Sequence, residues 1–249
     1  MSIADFCLIG FPKCGTTATI RMLKESPALK VHYAASDRPE SPFYVPARNL
    51  TKPAPEPGKA NGHKFSAYIY SNTNVRGILA DKPDSLLLIN VRPSGEALLS
   101  WRDMHRGIAR GEGSTHFVTR DDRRDFYANC SEVEYFETYA KTKINYADTI
   151  RKFLRMAPQA NYLIITQQRL SRDARSVMKE IHDRLGVSAP DSYYESLPAG
   201  HKPRGSRDLG ARVDNPQVVD QLRAYDADLI GLMSDLDPNR VLRAENDGF

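Results

Sequence analysis

Cysteine is scarce in this chain: three residues among 249, Cys7, Cys14 and Cys130. So few thiols, and an odd number of them, exclude a disulfide framework and fit a reducing compartment, so a cytoplasmic protein is expected. Long apolar runs are also absent. None approaches the roughly 20 residues that cross a bilayer, and the first apolar segment begins almost at once, leaving no room for a signal peptide. His and Cys never fall at zinc spacing, so no metal is expected. The net charge of +4 suits an anionic ligand and is too small to mark a nucleic-acid-binding protein. No repeat or low-complexity tract appears. With 41% apolar and 27% charged residues the composition is globular, and the length suits one compact domain spanning residues 1–249.

Proline is unevenly spread. Six of the 16 prolines lie between Pro39 and Pro57, which reads as an extended excursion over residues 37–62 rather than a linker. A second polar excursion, from Gly107 to about Ser131, holds Arg110, Arg120, Arg123 and Arg124. These alternate with Asp121, Asp122 and Asp125, as in a solvated, self-paired loop.

The stretch Gly10-Phe11-Pro12-Lys13-Cys14-Gly15-Thr16-Thr17 keeps both glycines and the final hydroxyl of the phosphate-binding pattern G-x-x-x-x-G-K-[ST]. Thr16 takes the lysine position, however, and Lys13 sits inside the loop. That relocation argues against an ordinary ATPase or a small-molecule kinase. The apolar run Phe6-Cys7-Leu8-Ile9 before the loop, and Ile20 and Leu23 after it, supply the strand, loop and helix order the motif requires. The N–H groups of Gly15 to Ala18 then converge at a helix N-terminus, where a phosphate is the expected guest. From this segment alone a plain connecting turn is the alternative. Cys14 at a helix N-terminus also invites a phosphatase reading. A C-x5-R motif would need arginine at position 20, where Ile20 stands, so Cys14 reads as a loop-filling residue.

A second motif separates these readings. Leu86 to Val91 has the pattern of a buried strand and runs into Arg92, followed by Pro93-Ser94-Gly95 and a helix with Ser94 as its expected N-cap. Ala97, Trp101, Met104 and Ile108 fall on one apolar face of that helix. Arg92 therefore ends a central strand, at the sheet edge where open α/β folds bind ligands. Its guanidinium and the Ser100 hydroxyl are suited to clamping a second phosphate.

In these two motifs the chain resembles the sulfotransferases that use 3′-phosphoadenosine 5′-phosphosulfate (PAPS). In that family a P-K-x-G-T-[TS] loop holds the 5′-phosphosulfate, matched by Pro12, Lys13, Cys14, Gly15, Thr16 and Thr17, with Ala18 next in the turn. An arginine ending a strand and a serine eight residues on hold the 3′-phosphate, matched by Arg92 and Ser100. The chain reads Arg92-Pro93-Ser94 where the family has R-N-P, and Ala97 where an arginine often stands. A late basic loop covers the adenine and 3′-phosphate; His201 to Arg207 is the matching stretch, with Lys202, Arg204 and Gly205 as its binding residues. Tyr146, the amphipathic run Ile144 to Leu154, the strand Tyr162 to Ile165 and a helix from Ser171 to Leu185, closed by Gly186, follow the family's later order. The resemblance implies an α/β fold of the P-loop NTPase kind, a three-layer sandwich with a central, mostly parallel sheet flanked by helices.

It also implies a chemistry. Glu40-Ser41-Pro42-Phe43-Tyr44 is similar to the E-x-x-F-F element of carbohydrate-type, heparan sulfate-like sulfotransferases, which makes Glu40 the base for an acceptor hydroxyl. Lys64 aligns with a lysine near donor and acceptor, although His63 and Ala67 replace that element's glutamate and proline. His63 and His32 are rival bases, since another branch of the family uses histidine. Lys13 would neutralise the bridging oxygen of the leaving phosphate. The expected activity is transfer of a sulfuryl group from PAPS to a hydroxyl, most plausibly of a saccharide. A non-catalytic nucleotide-binding scaffold on the same fold is the alternative. Asn215-Pro216 opens a closing helix with Val218, Leu222, Tyr225, Leu229 and Leu232 on one stripe. Its other face leaves a homodimer open.

Overall fold

The computed structural model describes residues 3–34, 40–48, 50–111, 121–198, 213 and 215–243. The chain divides into two compact units: Met1–Val91, Thr149–Pro203 and Ser234–Gly248 in the first, Arg92–Asp148 and Arg204–Met233 in the second, with Phe249.

A six-stranded sheet organises the first unit. It is built from β1 (Phe6–Gly10), β2 (Leu29–Val31), β3 (Ala60–Lys64), β4 (Leu86–Val91), β5 (Tyr162–Thr166) and β6 (Val241–Leu242). The strand order is β2-β3-β1-β4-β5-β6. Every pairing among the described residues is parallel, so the carboxyl ends of these strands emerge at one edge. Between Leu8 and Gly10 the register against β4 shifts, a bulge that bends β1 where the phosphate-loop motif begins.

Among the described residues the helices, in chain order, are α1 (Thr16–Glu25), α2 (Asn72–Asp81), α3 (Ser94–Ala109), α4 (Asp121–Asn129), α5 (Glu132–Tyr135) and α6 (Lys141–Ile144). Then follow α7 (Tyr146–Met156), α8 (Gln167–Arg172), α9 (Ala174–Arg184), α10 (Asp191–Ser196) and α11 (Pro216–Asp235). In the first unit Phe6, Leu8, Leu86, Leu88, Leu163 and Ile165 form one core with Ile20 and Leu23 of α1, Val177, Met178 and Ile181 of α9, and Tyr193 and Tyr194 of α10. The intervening Cys7, Ile9, Leu87, Ile89 and Ile164 are equally buried. Burial on both faces is why β1, β4 and β5 read as nearly continuous apolar runs, with Asn90 in β4 and Thr166 at the end of β5 as the polar exceptions.

β3 breaks that pattern. Ala60, Asn61, Gly62, His63 and Lys64 are all buried, although the segment falls partly inside the expected 37–62 excursion. Tertiary partners replace hydrophobicity here. Asn61 Nδ2 donates to the carbonyls of Glu56 and Lys59, and its N–H donates to Asp5. Gly62 packs on Phe6 so closely that a Cβ would stand 2.5 Å from the ring. The excursion itself is pinned by Ser41, whose N–H donates to the Lys64 carbonyl at 2.6 Å and whose hydroxyl donates to the His32 carbonyl. Phe43 and Tyr44 bury their rings against His63.

The expected helix from Ser171 to Leu185 is interrupted. Asp173 leaves helical geometry at φ −147° and caps α9 by accepting from the Ser176 N–H. Gly186, at φ +65°, follows the end of α9, a left-handed position at which glycine meets no Cβ penalty.

In the second unit, Ser94 is the first residue of α3 and not its cap. The Ser94 N–H donates at 2.7 Å to the Asp226 carboxylate on α11, and its hydroxyl donates to the Ile144 carbonyl. A distant carboxylate thus caps the helix from outside its own sequence. The buried side of α3 includes Ala97, Leu98, Trp101, Arg102 and His105, so it is rotated from the expected stripe; Met104 and Ile108 are only half-buried. His105 stacks on Tyr127 at 4.4 Å and bonds the Tyr135 hydroxyl, while Arg102 pairs with Glu132. The excursion begins later than expected because α3 runs to Ala109, and residues 112–120 lie outside the described residues. Asn215 Oδ1 accepts from the Val218 N–H at the start of α11, as its sequence led one to expect.

Candidate active site

The phosphate loop leaves β1 at Gly10, where a Cβ would lie 2.8 Å from Ile69 Cγ2. Phe11 N–H donates to the Asn90 carbonyl on β4 and Cys14 N–H to the Phe11 carbonyl, which curls the chain back on itself. Two left-handed residues complete the curl, Lys13 at φ +66° and Gly15 at φ +81°. For a lysine that conformation is uncommon and is held by its surroundings. Gly15 precedes α1, and no side chain caps the helix and no acidic residue stands in its first turn. Its first N–H groups are thereby left to an anion, in the arrangement that binds phosphate at helix N-termini. Beneath the loop, Asn90 Nδ2 donates to Thr19 Oγ1 at 2.7 Å. A Cβ on Gly15 would lie 3.6 Å from Gln167 Cγ and 3.9 Å from Asn90 Nδ2, so the Gln167 stem and the Asn90 amide floor the loop. The loop therefore fits a phosphate-bearing ligand. Cys14 is fully buried, Pro12, Lys13, Gly15 and Thr17 are half-buried, Thr16 is buried and Ala18 is exposed.

Lys64, the last residue of β3, stands opposite Leu8 of β1 and is 1% exposed. Its ammonium lies 2.6 Å from Glu40 Oε1 and donates to Thr17 Oγ1 at 3.2 Å. The Glu40 side chain is 25% exposed, so the pair joins a partly accessible carboxylate to a buried ammonium. Ser66 holds the same carboxylate twice, its N–H donating to Oε2 and its hydroxyl to Oε1, each at 3.0 Å. Glu40, Lys64 and Thr17, three residues named from sequence, are thus joined in one chain of contacts. Ser66 was not, and only its place two residues beyond Lys64 could have signalled it.

The two histidines are packed away. His63 is fully buried among Phe43, Tyr44 and Tyr68, and burial pushes its pKa down to about 3. His32 is buried with its Nε2 2.9 Å from Asn61 Oδ1.

Arg92, in the second unit, is buried immediately after β4, and its Nη2 donates to Glu96 Oε2 at 2.6 Å, one helical turn on. Ser100, half-buried, is one turn further along α3. Sequence reasoning passed over Glu96, although its i,i+4 spacing from Arg92 was visible. Lys202, Arg204 and Gly205 lie outside the described residues. Among the described residues no cluster of three or more His, Cys, Asp or Glu side chains could hold a metal ion, and no helix is long and apolar enough to cross a membrane.

No protein-family profile matches the sequence, and no curated protein matches it. Solved structures do. The crystal structure of a sulfotransferase from Alicyclobacillus acidocaldarius superposes with a TM-score of 0.58 at 19% identity, covering 96% of this chain and 100% of that one. The chain has the sulfotransferase fold. A mouse sulfotransferase, SULT7A1, complexed with PAP, matches with a TM-score of 0.52 at 16% identity over 96% of this chain and 88% of that one. The parallel six-stranded sheet flanked by helices is the sulfotransferase form of the expected P-loop α/β architecture.

Proposed function

We propose that residues 1–249 act as a single sulfotransferase domain that transfers a sulfuryl group from PAPS to an acceptor hydroxyl, on a carbohydrate, in the cytoplasm. The observation that carries this reading is the line of contacts from Glu40 through buried Lys64 to Thr17. It ties a partly exposed carboxylate to an uncapped helix N-terminus on a sulfotransferase fold. The PAP complex of the mouse neighbour supports the choice of nucleotide.

In this reading the N–H groups of Gly15 to Ala18, with Pro12, Cys14 and the hydroxyls of Thr16 and Thr17 shaping the loop, receive the 5′-phosphosulfate. Arg92 and Ser100 bind the 3′-phosphate, joined by Lys202, Arg204 and Gly205. Glu40 takes the proton from the acceptor hydroxyl as its oxygen attacks sulfur in line. The bond from sulfur to the phosphate oxygen breaks, and PAP leaves with the negative charge that Lys13 neutralises. Base catalysis of this kind supplies about 10²–10⁴ in rate. Preorganised donors aimed at the leaving oxygen supply about 10²–10³ more. A displacement at one sulfur leaves no β,γ-phosphate pair for a metal to bridge.

The test is transfer of ³⁵S from labelled PAPS to a panel of glycans, lipids and phenols, with Glu40→Gln alongside. Label on a glycan that depends on Glu40 supports the reading. Tight nucleotide binding with no transfer to any acceptor would replace it with a scaffold, and full turnover by Glu40→Gln would remove the base.

A further inference from the structure

The resting arrangement of the candidate base has a property that its role does not require. Glu40 Oε1 already accepts from the Lys64 ammonium at 2.6 Å and from the Ser66 hydroxyl at 3.0 Å, while Oε2 accepts from the Ser66 N–H. A carboxylate oxygen offers two lone pairs, so Oε1 is filled and has no place for a proton arriving from a substrate. Lys64 is 1% exposed, and a buried ammonium needs an anion beside it at every stage. Glu40 supplies that anion when the loop is empty. The same ammonium also touches Thr17, in the first turn of α1, beside the N–H groups that would hold the donor.

Resting on the donor reading above, we infer that Lys64 changes partners when the nucleotide arrives, leaving Glu40 Oε1 for the 5′-phosphoryl end of the donor. The move is small, because the ammonium stands between the two acceptors and ends a flexible stem whose outer torsions rotate without moving β3. Charge stays balanced, since the donor's anionic groups replace the carboxylate as the partner of a lysine that never reaches solvent. Glu40 keeps its orientation through the two Ser66 hydrogen bonds, which do not depend on Lys64. The exchange frees one lone pair on Oε1, and the acceptor proton goes there as the new oxygen–sulfur bond forms and the sulfur–phosphate oxygen bond breaks. Lys64 keeps its own proton throughout and ends beside the leaving phosphate. The exchange therefore opens Oε1 only once the donor has bound; Oε2, which accepts the Ser66 N–H, keeps a lone pair in both states, so the exchange sets which oxygen faces the acceptor and how strongly it draws the proton.

The exchange is tested with PAP alone. In a crystal structure of the wild-type protein with PAP, Lys64 Nζ is expected more than 4 Å from Glu40 Oε1 and within hydrogen-bond distance, about 3 Å, of a 5′-phosphate oxygen. By calorimetry Glu40→Gln, which removes the competing charge without changing the side chain's shape, should bind PAP about fivefold or more tightly than wild type, the scale of a modest coupling between sites. A PAP complex in which Lys64 stays on Glu40, or unchanged affinity in Glu40→Gln, overturns the exchange and leaves the sulfotransferase reading standing. No binding of PAP by the wild-type protein overturns the nucleotide reading, and the exchange with it.

Discussion

Replacing Asp226 by Asn should make the protein more stable at neutral pH and leave it nearly unchanged in mild acid. The carboxyl is largely buried on α11, where it caps α3 through the Ser94 N–H, and burial raises its pKa from 3.8 to about 6. The hydrogen bond from Ser94 opposes the shift without cancelling it. Between those two values the folded protein holds a proton that the unfolded chain has lost. Stability therefore falls as pH rises through the window and stays lowered above about 6. A shift of about two units at about 1.4 kcal/mol each gives a ceiling near 3 kcal/mol. Residual exposure of the group screens this to about 1–2 kcal/mol. Asparagine still accepts from the Ser94 N–H but carries no charge to bury, so Asp226→Asn should gain that amount. Urea unfolding at pH 4 and pH 8 measures it: the variant's midpoint should match wild type at the lower pH and exceed it at the higher. An equal difference at both values, or a variant less stable at pH 8, would refute the reasoning by showing that the charged cap is worth more than its desolvation.

Three further outcomes are expected. Gly62→Ala drives a methyl to 2.5 Å from the buried Phe6 ring and should lower stability by about 1–3 kcal/mol, read as a fall in the urea midpoint; an unchanged midpoint would mean that β3 slides freely on β1. Lys13→Ala should reduce sulfuryl transfer about 10²–10³-fold with the thermal melt intact, and a turnover loss below tenfold would remove Lys13 from the leaving-group side. If Arg92 holds the 3′-phosphate as proposed, Arg92→Ala loses charge-assisted bonds worth about 1.5–3 kcal/mol and should weaken PAP at least tenfold by calorimetry, while adenosine 5′-phosphate, lacking the 3′ group, should bind both proteins alike.

What could be read from sequence depended on whether a residue's environment was local. β1, β4 and β5 announced themselves because strands covered on both faces are mostly apolar, and the loop after β1 did so because its glycines serve the turn they occupy. β3 was hidden for the opposite reason: each polar residue in it is satisfied by something remote, Asn61 by Asp5 and Lys64 by Glu40. β2, only Leu29–Val31, is too short to show a period. Asp173 interrupts what spacing alone runs together, since Leu170 and Val177 stay buried on either side of the break. The site divided in the same way. Glu40, Lys64 and the loop were carried by motif, whereas Ser66 acts through a contact that only the folded chain creates, 26 positions away; outside the site, Asp226 reaches α3 in the same way across 132 positions.

The order of strands across the sheet also sets a timetable for synthesis. β6 is the outer neighbour of β5 and comes from Val241–Leu242, nearly 80 residues after it. A nascent chain can assemble the other five strands with the ribosome still at work, yet the outer backbone of Ile164 and Ile165 stays without its ladder partner until the last of the sheet emerges. An unpaired edge of that kind is open to the wrong strand. That interval closes only when Val241 and Leu242 take their place beside Ile164 and Ile165.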